Sequence, residues 1–286
     1  MIVIPGSASK RLANNLAKEL GTVCLNIESR CFPDTERYVR LEINEDVNLD
    51  NEEIILVQNT FPDDKIIELF LLQDAIREFK IKKLITVIPY YGYARQDKKF
   101  NPGESISART LAKHIELLSD VVVLVDIHAK SILDWFTKPV FEVSGMVQIG
   151  EFLKKYSPDI IMAPDKGAIE RASAVAEALG TDFDFLEKTR IDGHTVTMKA
   201  KNLDVKDRSV VIVDDIIATG GTIIKATDEL RKQGATKVFA ACTHGLYTSD
   251  AIPKLATSCD KVFSTDTLES ETSMITVAPE IAKIIK

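Results

Sequence analysis

Ser209–Thr222 reads SVVIVDDIIATGGT: an apolar run, two carboxylates and a Gly-Gly-Thr turn. The run Ser209–Val213 is too uniformly apolar for a half-exposed strand, so it is expected at the centre of a parallel sheet, buried on both faces. Asp214 and Asp215 then fall at its carboxyl end, the edge at which open α/β sheets bind ligands. The helical pattern Ile223–Gln233 comes next, with Thr222 as its expected cap and Gly234 at its end, and Lys237–Cys242 reads as the following strand. Two glycines ahead of a helix let backbone N–H groups close on a phosphate, and the helix dipole favours the anion. A plain tight connection uses Gly-Gly as well, so the glycines alone say little. The carboxylate pair and the two threonines point to a phosphorylated sugar, with its hydroxyls on Asp214 and Asp215 and its phosphate on Ala218, Thr219, Gly220, Gly221 and Thr222.

The same alternation runs through the chain. Candidate strands are Ile2–Pro5, Glu53–Val57, Leu84–Ile88, Val121–Asp126 and Ile160–Ala163, besides the two already named. Helical patterns lie between them at Ser9–Leu20, Asp64–Phe79, Ile106–Leu118 and Gly167–Leu179, and Gly21 and Gly180 stand where C-caps belong. Strands alternating with helices specify an α/β fold with mostly parallel sheets flanked by helices. VVVLVDI at Val121–Ile127 echoes VVIVDDI at Val210–Ile216, which suggests two similar halves, 1–145 and 146–286. The phosphate turn occurs in the second half alone.

A length of 286 residues accommodates two domains, and 45% hydrophobic with 28% charged residues is the composition of a soluble globular protein. A net charge of -7 argues against broad nucleic-acid binding, so cations that serve polyanionic substrates must be concentrated locally. Cys24, Cys31, Cys242 and Cys259 show neither CxxC nor zinc spacing and read as reduced thiols. The opening MIVIPGSASK has no basic n-region and resembles a first strand rather than a signal peptide. The longest unbroken apolar run, Val121–Val125, is too short to span a membrane. A cytoplasmic protein is expected.

Four further segments carry chemistry. YYGYARQDKK at Tyr90–Lys99 follows a strand and Pro89, so it is expected as a loop in which Arg95 stacks on a base or forks onto phosphate and Gln96 bonds a ligand edge. His128 lies just beyond the strand Val121–Asp126. Imidazole is an unusual magnesium ligand, although an ion that keeps its waters and shares substrate phosphates needs only one or two protein ligands. In IIMAPDKGAIER (Ile160–Arg171), Asp165 reads either as a helix start or as a ligand for a metal or a sugar hydroxyl. Phe185–Arg190 (FLEKTR) leads through an Asp-Gly turn into an alternating stretch, a hairpin in which Lys188 and Arg190 sit two apart on an extended backbone. No GxxxxGK[ST] or GxGxxG occurs, so neither a Walker loop nor a dinucleotide fold holds a nucleotide here.

VVIVDDIIATGGT matches the PRPP-binding motif of phosphoribosyltransferases and ribose-phosphate diphosphokinases, and the whole chain resembles the ribose-phosphate diphosphokinase (PRPP synthetase) family. CFPDTERYVR at Cys31–Arg40 is similar to that family's ATP-contacting loop, which serves across a subunit interface. YARQD resembles its second ATP loop, DIHA its metal-binding histidine motif, PDKGAIERA its segment bearing another aspartate, and EKTR its catalytic flexible loop. The resemblance implies two phosphoribosyltransferase-like domains and transfer of the β,γ-diphosphoryl group of ATP to the C1 hydroxyl of ribose 5-phosphate. It also implies ATP contacts from Asp34, Thr35, Glu36, Arg95 and Gln96, Mg²⁺ at His128 and Asp165, catalysis by Lys188 and Arg190 (Arg190 also touching ribose 5-phosphate), and a homodimer or larger homo-oligomer. Three departures from the pattern matter. Thr35 replaces a glycine, so a different loop backbone is expected. Thr137 and Phe141 stand roughly where many members carry acidic residues, so the resemblance does not carry a second metal site over to this chain. The chain stops at Lys286, so regulation by phosphate or ADP does not carry over. The competing readings are a phosphoribosyltransferase that consumes PRPP and a non-catalytic regulatory subunit.

Overall fold

Alternate residues of each central strand enter opposite cores, as a strand covered on both faces requires. In the computed structural model, residues 1–43, 47–190, 196–201 and 203–286 are described, with the backbone alone at 188–190 and 196–199. The chain forms two compact units: Met1–Ser144 with Thr267–Glu269 and Val277–Lys286, and Gly145–Asp266 with Ser270–Thr276.

The first unit contains β1 (Ile2–Pro5), α1 (Lys10–Leu20), β2 (Val23–Cys24), β3 (Ile27–Cys31), β4 (Arg37–Leu41), β5 (Glu53–Val57), α2 (Asp64–Arg77), β6 (Lys83–Ile88), α3 (Ser107–Ile115), β7 (Val121–Val125) and β8 (Val140–Val143). Six strands form one parallel sheet in the order β2-β1-β5-β6-β7-β8, and β3 pairs β4 as a separate antiparallel hairpin. Ile54 and Leu56 of β5 pack into one core with Leu69, Leu72 and Ile76 of α2, whereas Ile55 and Val57 enter the other with Leu12 and Leu16 of α1.

The second unit contains α4 (Met146–Leu153), β9 (Ile160–Ala163), α5 (Ile169–Leu179), β10 (Asp182–Arg190), β11 (Val196–Ala200), β12 (Ser209–Ile217), α6 (Gly221–Lys232), β13 (Lys237–Gly245), α7 (Ala251–Ser258), β14 (Lys261–Thr265) and β15 (Ser273–Ile275). Its strand order is β11-β10-β9-β12-β13-β14-β15, parallel except where β11 folds back on β10. Val210 and Ile212 face one core, Val211 and Val213 the other. The stretch expected at the sheet centre is there.

The last helix, α8 (Ala278–Ile285), belongs to the first unit although sequence order places it in the second half. Its apolar stripe, Ala278, Ile281 and Ala282, joins Leu12, Ala13, Leu16 and Ala17 of α1. Burial of that stripe is the reason the chain returns. Among the described residues, no helix is long and apolar enough to cross a membrane.

Candidate active site

The acceptor side is built on β12. Its pairing with β9 ends at Ile212↔Met162, but β13 accompanies it to Ile217↔Gly245. The strand therefore continues four residues past the expected end at Val213, and Asp214 and Asp215 lie inside it rather than after it. The extension has a ladder partner on the β13 side, and beside it β9 ends and the chain turns away through Pro164 and Asp165. Ligand-binding crevices in open parallel sheets form at such carboxyl edges.

Asp215 is buried and Asp214 half-buried. The Asp215 N–H donates to Asp214 Oδ1 and the Ile216 N–H to Asp215 Oδ1, both at 2.9 Å. Arg171 of α5 supplies the counter-charge: Nη2 donates to Asp215 Oδ2 at 2.9 Å, and Nη1 lies 4.0 Å from Asp214 Oδ1. Burial, followed by the hydrogen bond and charge of Asp215, pushes the Asp214 carboxyl up to about 7, against the pull of the Asp215 N–H and Arg171. Arg171 ends the quoted stretch IIMAPDKGAIER, yet nothing in the sequence singles it out. The available signal is an arginine one helical turn beyond Gly167 in a chain that buries adjacent aspartates.

The phosphate turn differs from expectation in register. Helix α6 starts at Gly221 with Gly220 as its cap, so Thr222 sits in the first turn instead of capping at Ile223. Gly220 has φ +76°, the left-handed region, and this bend allows the helix to begin two residues early. No side chain caps α6, so its first N–H groups point out of the helix without an intrahelical acceptor. Thr219 and Thr222 are exposed, and Ala218 is half-buried. A Cβ on Gly220 would stand 3.0 Å from Leu255 Cγ, whereas one on Gly221 would meet only Thr219 Oγ1, at 3.8 Å. Gly220→Ala is therefore expected to lose roughly 1–3 kcal/mol from the left-handed backbone and the Leu255 contact. Gly221→Ala is expected to hold or gain up to about 1 kcal/mol, because its backbone is already helical. Both should weaken phosphate binding. Urea unfolding and ligand titration of the two variants separate these effects; equal stability losses would overturn the assignment.

Asp165 caps the short turn Lys166–Ala168 that leads into α5, its Oδ1 accepting the Gly167 N–H at 2.9 Å. Helix α5 accordingly starts at Ile169, not at Gly167. Lys188 and Arg190 lie at the end of β10, paired in backbone register with Met198 and Val196 of β11, so the expected hairpin is present. Their side chains, and residues 191–195 with His194, lie outside the described residues.

The remaining candidates sit in the first unit. Asp34, Thr35 and Glu36 form the exposed tip of the β3–β4 hairpin, closed by Thr35 N–H to Phe32 O at 2.9 Å and Glu36 N–H to Asp34 Oδ1 at 3.2 Å. Thr35 adopts φ +74°, a conformation that favours glycine, so the turn keeps a glycine-type backbone with a threonine in it. Arg30 lies over the Tyr38 ring at 4.2 Å and over Phe32 at 4.9 Å. Arg95 is exposed and Gln96 half-buried in the loop after β6, and exposed His128 follows β7. Because β6 and β7 are adjacent and parallel, both loops leave the same carboxyl edge. Tyr90 and Tyr91 pack inward, with the Tyr91 hydroxyl donating to Ala108 O at 2.8 Å. Asp126, ahead of His128, is buried and accepts the Ser144 hydroxyl at 2.7 Å. Among the described residues, no group of three or more His, Cys, Asp or Glu forms a metal cage.

Comparison with known proteins covers both units. Residues 1–118 match the N-terminal domain of ribose phosphate pyrophosphokinase, and residues 146–275 match the phosphoribosyl transferase domain. The ribose-phosphate pyrophosphokinase of Pyrococcus furiosus is 42% identical over 288 residues, spanning 100% of both chains. That of Methanosarcina acetivorans is 41% identical, spanning 100% of this chain and 99% of its own. The crystal structure of phosphoribosylpyrophosphate synthetase from Mycobacterium smegmatis superposes with a TM-score of 0.83 at 30% identity, covering 99% of this chain and 97% of that one. With a carboxylate pair and a glycine turn at the centre of the second sheet, and full-length kinship with the curated relatives, the chain belongs to the ribose-phosphate pyrophosphokinase family.

Proposed function

We propose that this enzyme transfers the β,γ-diphosphoryl group of ATP to the C1 hydroxyl of ribose 5-phosphate, giving PRPP and AMP for nucleotide biosynthesis. The observation that carries this reading is Asp214 and Asp215 on β12, followed within one turn by the N-terminus of α6. The carboxylates accept ribose hydroxyls, and Ala218–Thr222 close on the 5-phosphate through backbone N–H groups and threonine hydroxyls. In the transfer, the C1 oxygen bonds to the β-phosphorus, the bond from that phosphorus to the α,β-bridging oxygen breaks, and AMP departs with that oxygen. The C1 hydroxyl proton leaves to solvent.

The two units divide the work. Asp34, Thr35, Glu36, Arg95 and Gln96 of the first seat ATP, and the second supplies the acceptor site with Lys188 and Arg190. Those two cations neutralise charge on the transferring group, and Arg190 also meets ribose 5-phosphate; the catalysis is in-line positioning plus electrostatics. Mg²⁺ suits the donors present: Asp165 offers a hard carboxylate beside the acceptor strand, and a site completed by water and phosphate needs no protein cage. His128 in the first unit and Asp165 in the second are the residues that would hold Mg²⁺, each directly or through water. When bound, it offsets the negative charge of the β- and γ-phosphates. The hairpin tip is exposed on a two-stranded sheet separate from the main one, which suits a loop that completes a neighbouring subunit's ATP site in a homodimer or larger assembly. A cytoplasmic location agrees with the free cysteines.

A phosphoribosyltransferase would need the acceptor unit but not a first unit matching the pyrophosphokinase N-terminal domain. Incubation with ATP, ribose 5-phosphate and Mg²⁺ is expected to yield AMP and PRPP in equal amounts. AMP without PRPP, or no turnover, would remove the proposal.

A further inference from the structure

The two aspartates of β12 are not equivalent. Asp215 has both oxygens engaged by protein: Oδ1 accepts the Ile216 N–H and Oδ2 accepts Arg171 Nη2, each at 2.9 Å, and its side chain is 5% exposed. Asp214 is 23% exposed, with Oδ1 accepting the Asp215 N–H. Arg171 meanwhile spends a second nitrogen on the neighbouring segment, Nη1 donating to Gly167 O at 3.2 Å. Gly167 is the residue whose N–H is held by Asp165. One guanidinium thus ties β12 to the turn that carries Asp165. A planar fork reaches an oxygen on each side at once, which a lysine ammonium on a single stem does less well.

We infer that Arg171 is a positioning residue of the acceptor site: by gripping Asp215 and the Gly167 carbonyl it sets Asp214 as the carboxylate that meets the ribose hydroxyls. This rests on the acceptor-site reading given above. It separates roles that the Asp-Asp pair otherwise shares, with Asp214 facing substrate and Asp215 serving as the anchor through which Arg171 acts.

The test measures ribose 5-phosphate binding by calorimetry, alongside KM for each substrate in the full-length enzyme. Arg171→Met is expected to weaken ribose 5-phosphate binding at least tenfold while KM for ATP stays within twofold, and Arg171→Lys should recover part of the loss. In an Asp215→Asn background the further substitution Arg171→Met should add less than twofold, because the chain of contacts is already broken. Asp215→Asn and Arg171→Lys read the same linkage if Arg171→Met fails to fold. A parallel rise in both KM values, or an Arg171→Met effect undiminished by Asp215→Asn, would overturn the assignment. Wild-type enzyme that binds ribose 5-phosphate with this Arg171 dependence yet makes no PRPP would defeat the transfer reading and leave the role of Arg171 standing. Wild-type enzyme that does not bind ribose 5-phosphate would defeat both.

Discussion

Glu68→Ala is expected to destabilise the first unit by about 3–5 kcal/mol, the usual range when one partner of a buried charged network is removed. Glu68 on α2 is fully buried. It accepts the Ser7 N–H at 2.6 Å, the Ser7 hydroxyl at 2.7 Å, the Ser29 hydroxyl at 2.8 Å and Gln58 Nε2 at 3.1 Å. Lys65 Nζ lies at 3.5 Å and Arg37 Nη1 at 3.9 Å, and Arg37 also pairs with Asp64. These partners come from the turn after β1, from both strands of the hairpin, from the end of β5 and from α2 itself. The carboxylate is a knot fastening the β3–β4 hairpin, and with it Asp34–Glu36, to the unit. Arg37 Nε is already buried without a hydrogen-bond partner, so losing Glu68 leaves Asp64 as the carboxylate that balances this guanidinium. Burial pushes the Glu68 carboxyl up, but the bonds from Ser7 and Ser29 and the Lys65 charge outweigh it and hold the group below its ordinary range. A depressed carboxyl stabilises the fold above its unfolded pKa and loses that contribution as pH falls through the folded value. Glu68→Gln should therefore cost most near neutrality and progressively less in acid. Fluorescence of the single tryptophan, Trp135 in the first unit, follows the unfolding in urea. A loss below about 1 kcal/mol for Glu68→Ala would show the network to be idle.

The central strands were legible because a strand buried on both faces writes its burial into consecutive residues: Ile2–Pro5, Glu53–Val57 and Ile160–Ala163 run between the bounds their apolar runs predict. Ends were less legible. The extension of β12 to Ile217 depends on β13 continuing to Gly245, and the early start of α6 depends on a left-handed Gly220, neither of which periodicity records. The β3–β4 hairpin left no strand signal, since IESRC and RYVRL are polar and mostly unburied. Helix α8 carries an apolar stripe, but the sequence does not say that α1, more than 250 residues away, is its partner. The site splits along the same line. Asp214, Asp215, Gly220 and Gly221 are adjacent in sequence and announce themselves; Arg171 and Glu68 act across separations of 44 and 61 residues and emerge only from the fold.

Asp214→Asn is expected to weaken ribose 5-phosphate binding by roughly 10–100-fold, the difference between charged and neutral acceptors for sugar hydroxyls. The same substitution is expected to make the unliganded enzyme more stable at pH 8. Burial and the facing Asp215 carboxylate raise Asp214 to about 7, well above its value of about 3.9 in an unfolded chain. Between those limits the folded protein holds a proton that the unfolded chain releases, so the group favours folding below about pH 4 and loses that contribution as pH rises through 7. An asparagine does not titrate. Its advantage over wild type should be near zero at pH 4 and reach about 1–3 kcal/mol at pH 8, less than the full displacement implies because Arg171 and solvent screen part of it. Binding runs the other way: the wild-type site needs the ionised carboxylate, so affinity for ribose 5-phosphate should climb more steeply through neutrality than that of the variant, in which only the substrate phosphate, with a second pKa of about 6, still titrates. Stability and affinity thus move in opposite directions with one proton, as expected where a fold keeps two carboxylates adjacent for a substrate's sake. Urea midpoints at pH 4, 6 and 8, set beside calorimetric titrations at the same pH values, read both limbs. An Asp214→Asn enzyme less stable than wild type at pH 8, or one whose affinity rises through neutrality as steeply as that of wild type, would place the titrating group elsewhere.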